Sequence, residues 1–392
     1  MRREWLLSAL LAALLAGGET AGAQAADDAT LAGLSAASPE YLVGQLGSGK
    51  YRERVRATRE LERRGLAARE ALQMGVESPD AEIRHRCRKL LEVVLARDFQ
   101  TRLRAFAADR AGTGSHDMPG WERFRQLASP TPESRELFVS MLSAEQELIA
   151  SLDGGSAPAA GLLEARCNEI DQDQHKNVFG QSTGVPLGTL AALFFVASDP
   201  SVAVSDRTAA LLGNLSYQQS FQTALVGGPH VATLRKMLGQ WVERGEGGPG
   251  SFQNLLLAMK HGLSEGLKPA EGMIRRGAQP QIIVYAILAV GRFGDRTHLA
   301  LLAPLLEDES VAMTFQTDDK QFQTQVRDVA LAVLVHLTEQ KYADYGFTRI
   351  EQQPDYLFNP GTIGFAEEAQ RTAALEKWQA WMAEQEPAES AE

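Results

Sequence analysis

The chain has 392 residues, 44% of them hydrophobic and 23% charged, with a formal net charge of −11. This is a globular composition, which excludes a disordered chain, and the acidic balance argues against general nucleic-acid binding. The length exceeds one ordinary domain of ~100–200 residues, although repeats that pack only on their neighbours form one continuous body at any length.

Arg2 and Arg3 precede an apolar run from Trp5 to Ala16, followed by the small residues Ala23-Gln24-Ala25. The run is short of the ~20 residues a spanning helix needs. Residues 1–25 therefore read as a secretory signal cleaved before Ala26, with retention as an N-terminal anchor the alternative. The expected location is periplasmic or secreted, with no membrane span after cleavage. Residues 26–38 are small and polar, a flexible leader.

Helices are expected from Pro39. Glu40 to Leu46 is short, and Tyr51 to Arg64 carries Tyr51, Val55, Thr58 and Leu61 near one face. Gly65 breaks it, and Ala67 to Met74 returns. Ser78-Pro79-Asp80 then opens a helix with the stripe Ile83, Cys87, Leu90, Leu91, Val94 and Leu95, continuing towards Phe106. Between Lys50 and Arg110 there are 16 Lys and Arg against 10 Asp and Glu, a basic stretch in an acidic chain. Arginine-rich helix faces are ordinarily solvated surface, and an anionic partner is the alternative.

Residues 109–264 read as a helical middle with long loops. Asp109 to Trp121 is a Gly-containing loop, and helices are expected at Glu133 to Leu152, Leu162 to Ile170, Leu190 to Ala197, Asp206 to Leu215, His230 to Val242 and Phe252 to Leu263. Ile282 to Val290 is apolar all round and fits a buried strand or helix; its alanines and leucine, and its helical neighbours, favour helix. After a Gly294-Asp295 turn, Leu299 to Leu306 returns. From Val311 to Val326 apolar and polar residues alternate around Thr317 to Lys320, which predicts a small β-hairpin. Arg327 to Leu337 resumes the helix. Residues 343–383 comprise an extended segment and a capping helix carrying Ala374, Trp378, Trp381 and Met382; residues 384–392 read as an acidic, irregular tail.

LAVGRFGDRTHLALLAPLLEDES followed by VRDVALAVL resembles the HEAT-repeat pattern: a helix ending in Leu-Gly-x-x-Gly-Asp, a second helix with spaced leucines, then an Asp before Val-Arg-x-x-Ala. SPDAEIRHRCRKLL matches at Asp80, Ile83 and Arg84, DPSVAVSDRTAALLGNL at Asp199, Pro200, Arg207 and Ala210, and Tyr51, Arg54, Ala57 and Leu61 form a looser copy. The whole is similar to exported bacterial HEAT-repeat proteins. The resemblance implies an all-α solenoid of helical hairpins, with repeats at 39–108 and 265–342, interrupted by the β-hairpin at 311–326. It also implies that Arg54, Asp80, Arg84, Asp199, Arg207, Asp308 and Arg327 belong to the polar ladder between stacked repeats. It implies a binding scaffold and no chemistry.

Several motifs are weighed against that reading. Gly44 to Lys50 fits the letters of a phosphate-cradling loop, but Tyr51 stands where a Ser or Thr is needed and a helix precedes it. Asp171, Asp173 and His175 lack the remaining ligands of a calcium loop. The seven histidines show no metal-binding spacing, so no metal or cofactor is expected. Gly180 to Gly184 matches a nucleophile elbow around Ser182 without the surrounding strands. Cys87 and Cys167 lie on apolar stripes, which favours buried thiols over a disulfide, although export would permit one. The leading expectation is therefore a non-catalytic scaffold for an unknown protein or peptide, with Phe315, Phe322, Arg84 and Arg88 as candidate contacts. The alternatives are an envelope hydrolase using loop residues in 109–188, and binding of an anion or wall polymer through Arg52, Arg56, Arg84 and Arg88.

Overall fold

The computed structural model describes residues 37–176, 184–245, 251–317 and 320–389. Helix dominates these residues, with a few short strands. They fall into two compact units, one ending at Ala108 and one beginning at Asp109.

The first unit is built from α1 (Pro39–Gln45), α2 (Tyr51–Arg64), α3 (Arg69–Val76) and α4 (Ala81–Ala108). Local signals set the ends: Ser38 accepts a bond from the Tyr41 amide ahead of α1, and Gly65, at φ +58°, turns the chain out of α2. The apolar stripes meet in one core that includes Leu42, Leu46, Leu61, Leu72, Cys87, Leu90 and Val94. Gly75 makes the packing possible. A Cβ there would collide with Cys87 Sγ and Val43 Cγ1, so α3 approaches its neighbours at glycine-only distance.

The second unit begins with α5 (Trp121–Leu127), α6 (Pro132–Ala150), α7 (Ser156–Lys176) and α8 (Leu187–Ser198). Thr131 and Ser134 exchange bonds in a capping box that starts α6. α8 is buried on every side, from Gly188 to Ser198. Phe195 on α8 meets Phe124 and Phe138 edge-on, and Trp121 completes that aromatic cluster. A Cβ on Gly188 would strike the Ser140 carbonyl, so α8 lies directly against α6.

The chain continues through α9 (Asp206–Leu215), α10 (Gln219–Val226), α11 (Val231–Glu243), α12 (Ser251–His261), α13 (Leu267–Arg276), α14 (Pro280–Phe293) and the single turn α15 (Leu299–Leu302). The strand alternative for residues 282–290 is excluded, since they form the buried face of α14. Strands β1 (Val311–Thr317) and β2 (Lys320–Gln325) pair antiparallel, with Phe315 opposite Phe322, as the alternation predicts. α16 (Val326–Leu337) follows and is buried throughout its first ten residues. Two short strands, β3 (Gln352–Gln353) and β4 (Leu357–Phe358), pair antiparallel, and α17 (Glu368–Glu389) closes the unit. Ala374 and Trp378 of α17 lie in the core built on α14 and α16, with Trp381 and Met382 packed at its edge.

Several expectations need correction. α7 starts six residues before the expected Leu162 and ends at Lys176; Pro158 sits in its first turn, where proline is tolerated. α10 and α13 occupy stretches left without a helix. Each is held by a short buried set, Phe221 and Leu225 in one, Ala270, Met273 and Ile274 in the other. The returning helix at 299–306 is helical for one turn only and tightens into a 3₁₀ segment around Pro304. The expected tail is helical from 384 to 389, because α17 runs on to Glu389. The expected signal segment, Gly180 and Ser182 lie outside the described residues. No helix among the described residues is long and apolar enough to cross a membrane.

Candidate functional site

Of the residues expected to form a ladder, Arg54, Asp80 and Arg84 bond within their own turns, whereas Asp199, Arg207 and Arg327 reach distant segments. Arg54 Nη1 donates to the Ser48 carbonyl at 2.7 Å, and Arg84 Nη1 donates to the Ser78 carbonyl at 2.7 Å and the Pro79 carbonyl at 2.8 Å. Each arginine thus reaches six residues back and ties its helix to the turn before it. Asp80 Oδ1 accepts from the Glu82 and Ile83 amides, capping α4. Arg207 Nε donates to Asn168 Oδ1. Asp308 and Arg327 do meet, but through the backbone: the Arg327 amide donates to the Asp308 carbonyl at 3.0 Å. The Arg327 guanidinium is taken by Gln325, Glu309 and Glu368. The inserted strands account for this, since they carry the chain away between the two residues.

The hairpin is covered by the chain's own C-terminal segment. The Arg349 guanidinium lies 3.9 Å from the centre of the Phe322 ring. Phe315 packs against Gly361, where any Cβ would enter its ring, and Gly364 lies against the Gln323 backbone. Thr324 Oγ1 donates to the Pro360 carbonyl, Gln323 bridges to Phe365, and Arg371 donates to the Gln323 carbonyl. Phe322 is therefore occupied within the molecule, and Phe315 is the more exposed of the pair.

Asp199 gains partners that the sequence did not reveal. Its Oδ1 accepts from the Ser201 amide and hydroxyl, and its Oδ2 accepts from Arg123 Nη1 at 2.6 Å. Against the penalty of burial, the Ser201 and Arg123 bonds hold its carboxyl below the ordinary range. Arg244 donates to the carbonyls of Ala197, Asp199 and Val202, fixing the chain where it leaves α8. A cavity of about 270 Å³ beside this cluster is lined by Arg123, Gln126, Ser198, Asp199 and Gln240. The arrangement positions a chain reversal: the carboxylate is ionised with both oxygens engaged, which suits a lock rather than a proton carrier. Sequence spacing pointed to Asp199; its partner Arg123 is 76 residues away, a pairing no local pattern encodes.

The first unit gives the clearest surface signal. Tyr41, Tyr51, Leu66, Met74, Val93 and Leu95 are all exposed, more large apolar side chains than the larger second unit exposes among the described residues. Exposed arginines, including Arg52, Arg59 and Arg88, lie on the same helices. Arg84, by contrast, is committed to its carbonyls. Tyrosine, methionine and arginine are the residue types that protein interfaces favour.

The remaining motifs resolve as structure. Helix α1 precedes the Gly44–Lys50 turn, and Lys50 pairs with Glu53 at 2.9 Å. Asp171 and His175 lie in α7, where His175 Nδ1 meets the Asp171 carbonyl. Among the described residues no group of three His, Cys, Asp or Glu side chains is placed to hold a metal. Both cysteines are buried and free, and burial pushes Cys87 up to about 11 and Cys167 up to about 12. No family model, no curated protein and no solved structure matches this chain.

Proposed function

We propose that the chain is an exported, HEAT-like scaffold of helical hairpins that binds a protein or peptide partner and carries no catalytic centre, and that its first unit meets an acidic partner segment bearing apolar side chains. The observation that carries this is the coincidence, in one unit, of the chain's basic stretch with exposed Tyr41, Tyr51, Leu66, Met74, Val93 and Leu95. Large exposed apolar side chains and arginines carried by one set of helices are groups that an acidic partner bearing apolar side chains engages. The hairpin contributes less than its insertion suggests, because Phe322 already lies under Arg349. The helical hairpins and the expected signal at residues 1–25 support the scaffold and its export.

Display of a random peptide library on the full-length protein tests this. Enriched peptides should combine Asp or Glu with aliphatic residues. Their affinity should fall at least about tenfold in a Tyr51→Ser/Met74→Ser variant, the loss of two buried interface side chains. A charge-reversed Arg52→Glu/Arg88→Glu variant should lose binding and its salt dependence together. Selection of basic peptides, or binding indifferent to both variants, overturns the proposal.

A further inference from the structure

A second feature lies in the second unit and is independent of the surface just described. Helices α10 and α12 end beside an open cavity of about 630 Å³, lined by Gln222, Thr223, Val226, Lys260, His261 and Asp355. That is the size of a site for a small ligand or a few peptide residues, and more than a bare inorganic anion fills.

The lining carries donors and acceptors in separate places. Lys260 Nζ reaches Gln222 Oε1 at 2.9 Å and stands 5.6 Å from the Tyr217 ring centre. Arg235 donates to the His261 carbonyl, and Arg292 donates to the Pro354 carbonyl. Both guanidinium groups lie within 3.9 Å of where a Cβ on Gly262 would stand. Three cations therefore surround the turn after α12. Asp355 lines the same cavity, and it and the carbonyl ends of the two helices call for N–H donors.

His261 is 7% exposed, and its Nε2 has no hydrogen-bond partner. A buried ring nitrogen left unpaired costs about 1–3 kcal/mol, and few sites retain one without use. Because a flip of the ring exchanges its nitrogens and carbons, His261 is able to present a nitrogen to a ligand in the cavity. Val226, 79% exposed, supplies an apolar side chain at the rim, and the Tyr217 ring stands beside Lys260.

The geometry points to a binding site for the C-terminal end of a peptide. Lys260 takes the terminal carboxylate, His261 gives a hydrogen bond beside it, Asp355 accepts the N–H of the last peptide bond, and Val226 with Tyr217 covers an apolar last side chain. Carboxylate and N–H are then met at once, which a lone phosphate does not achieve.

Fluorescein-labelled tetrapeptides Ala-Ala-Ala-X, with X aliphatic, test this on the full-length protein by anisotropy, each as free acid and as C-terminal amide. The free acids should bind at least about tenfold tighter than the amides, the worth of one charge-assisted hydrogen bond. Lys260→Met should abolish the acid–amide difference, and Lys260→Arg should restore most of it. Asp355→Asn should weaken acid and amide alike. Equal binding of acid and amide, no binding of any free acid at 1 mM (roughly the weakest affinity worth calling specific), or displacement by inorganic phosphate as effective as by unlabelled peptide overturns the proposal. So does an acid–amide difference that survives Lys260→Met in a protein with unchanged melting temperature.

Discussion

Single side chains in this molecule are decided by what burial does to them. His261 is held below its ordinary value of 6.5 first by desolvation and then by Lys260 and Arg235, with Asp355 opposing. His336 is depressed by desolvation, with its Nδ1 beside the Tyr342 hydroxyl and its ring edge-on to Phe358. Below pH 6.5 the unfolded chain takes up protons at these positions while the folded chain resists, so the unfolded state binds more and stability falls as pH falls. Above about pH 8 both states are neutral there and the histidines contribute no slope. The urea midpoint should therefore drop between pH 7 and pH 5, and a His261→Gln/His336→Gln variant should flatten that drop. Glu60 acts in a lower window, since the Arg63 bond, opposed by desolvation, brings it to about 2. An unchanged slope in the double variant would show that other groups govern the acid limb.

Between elements, α17 is tied to α16 by Arg371 on Asp328. Both side chains are buried, with Arg371 Nε donating to Asp328 Oδ1 at 2.7 Å. The Gln325 amide donates to Asp328 Oδ2, so the same carboxylate caps α16. Burial pushes the Asp328 carboxyl up, and the Arg371 bond and the Gln325 amide work against it. Arg371→Met leaves that carboxylate buried and unpaired, which should cost about 3–5 kcal/mol in urea unfolding. Arg371→Met/Asp328→Leu should regain part of that loss, because no buried charge is left unpaired, although the Gln325 amide gives up its acceptor. A loss below about 1 kcal/mol, typical of an exposed pair, would mean the tie is solvated. The sequence was legible where an element depends on its own residues. The alternation of β1 and β2 and the Trp378–Trp381 spacing each specified a local conformation, while the run of α14, apolar all round, fitted strand or helix and was read as helix from its residue types and neighbours. It was not legible where packing gives a residue its meaning. Gly361 and Gly364 read as irregular chain, yet they are the flat surface on which Phe315 and the Gln323 backbone lie. The arginine of the repeat pattern at 327 was visible, while its partners Glu309 and Glu368 depended on where two distant segments dock. The first unit's exposed apolar groups were equally hidden, because a stripe in a sequence does not say which side will be covered.

At the scale of the molecule, each of the two units holds one buried cysteine, Cys87 in the first and Cys167 in the second. This makes thiol reactivity a report on each unit. At pH 8 both thiols are almost wholly protonated, given values of about 11 and about 12, and both are shielded. Neither should react with a thiol reagent in native buffer within minutes, and oxidant should not join them. In graded guanidinium each becomes reactive when its own core opens. The first unit is the smaller, and small units bury a smaller fraction of their surface, so its core should yield first. Mass spectrometry of labelled peptides should therefore place the Cys87 midpoint at lower denaturant than that of Cys167. Coincident midpoints would mean that the units unfold as one cooperative body, and fast native labelling of either thiol would contradict its burial. A first unit that opens independently while exposing Tyr41, Tyr51 and Met74 is also the part best suited to adjust its surface to a partner, because local opening there leaves the larger core intact.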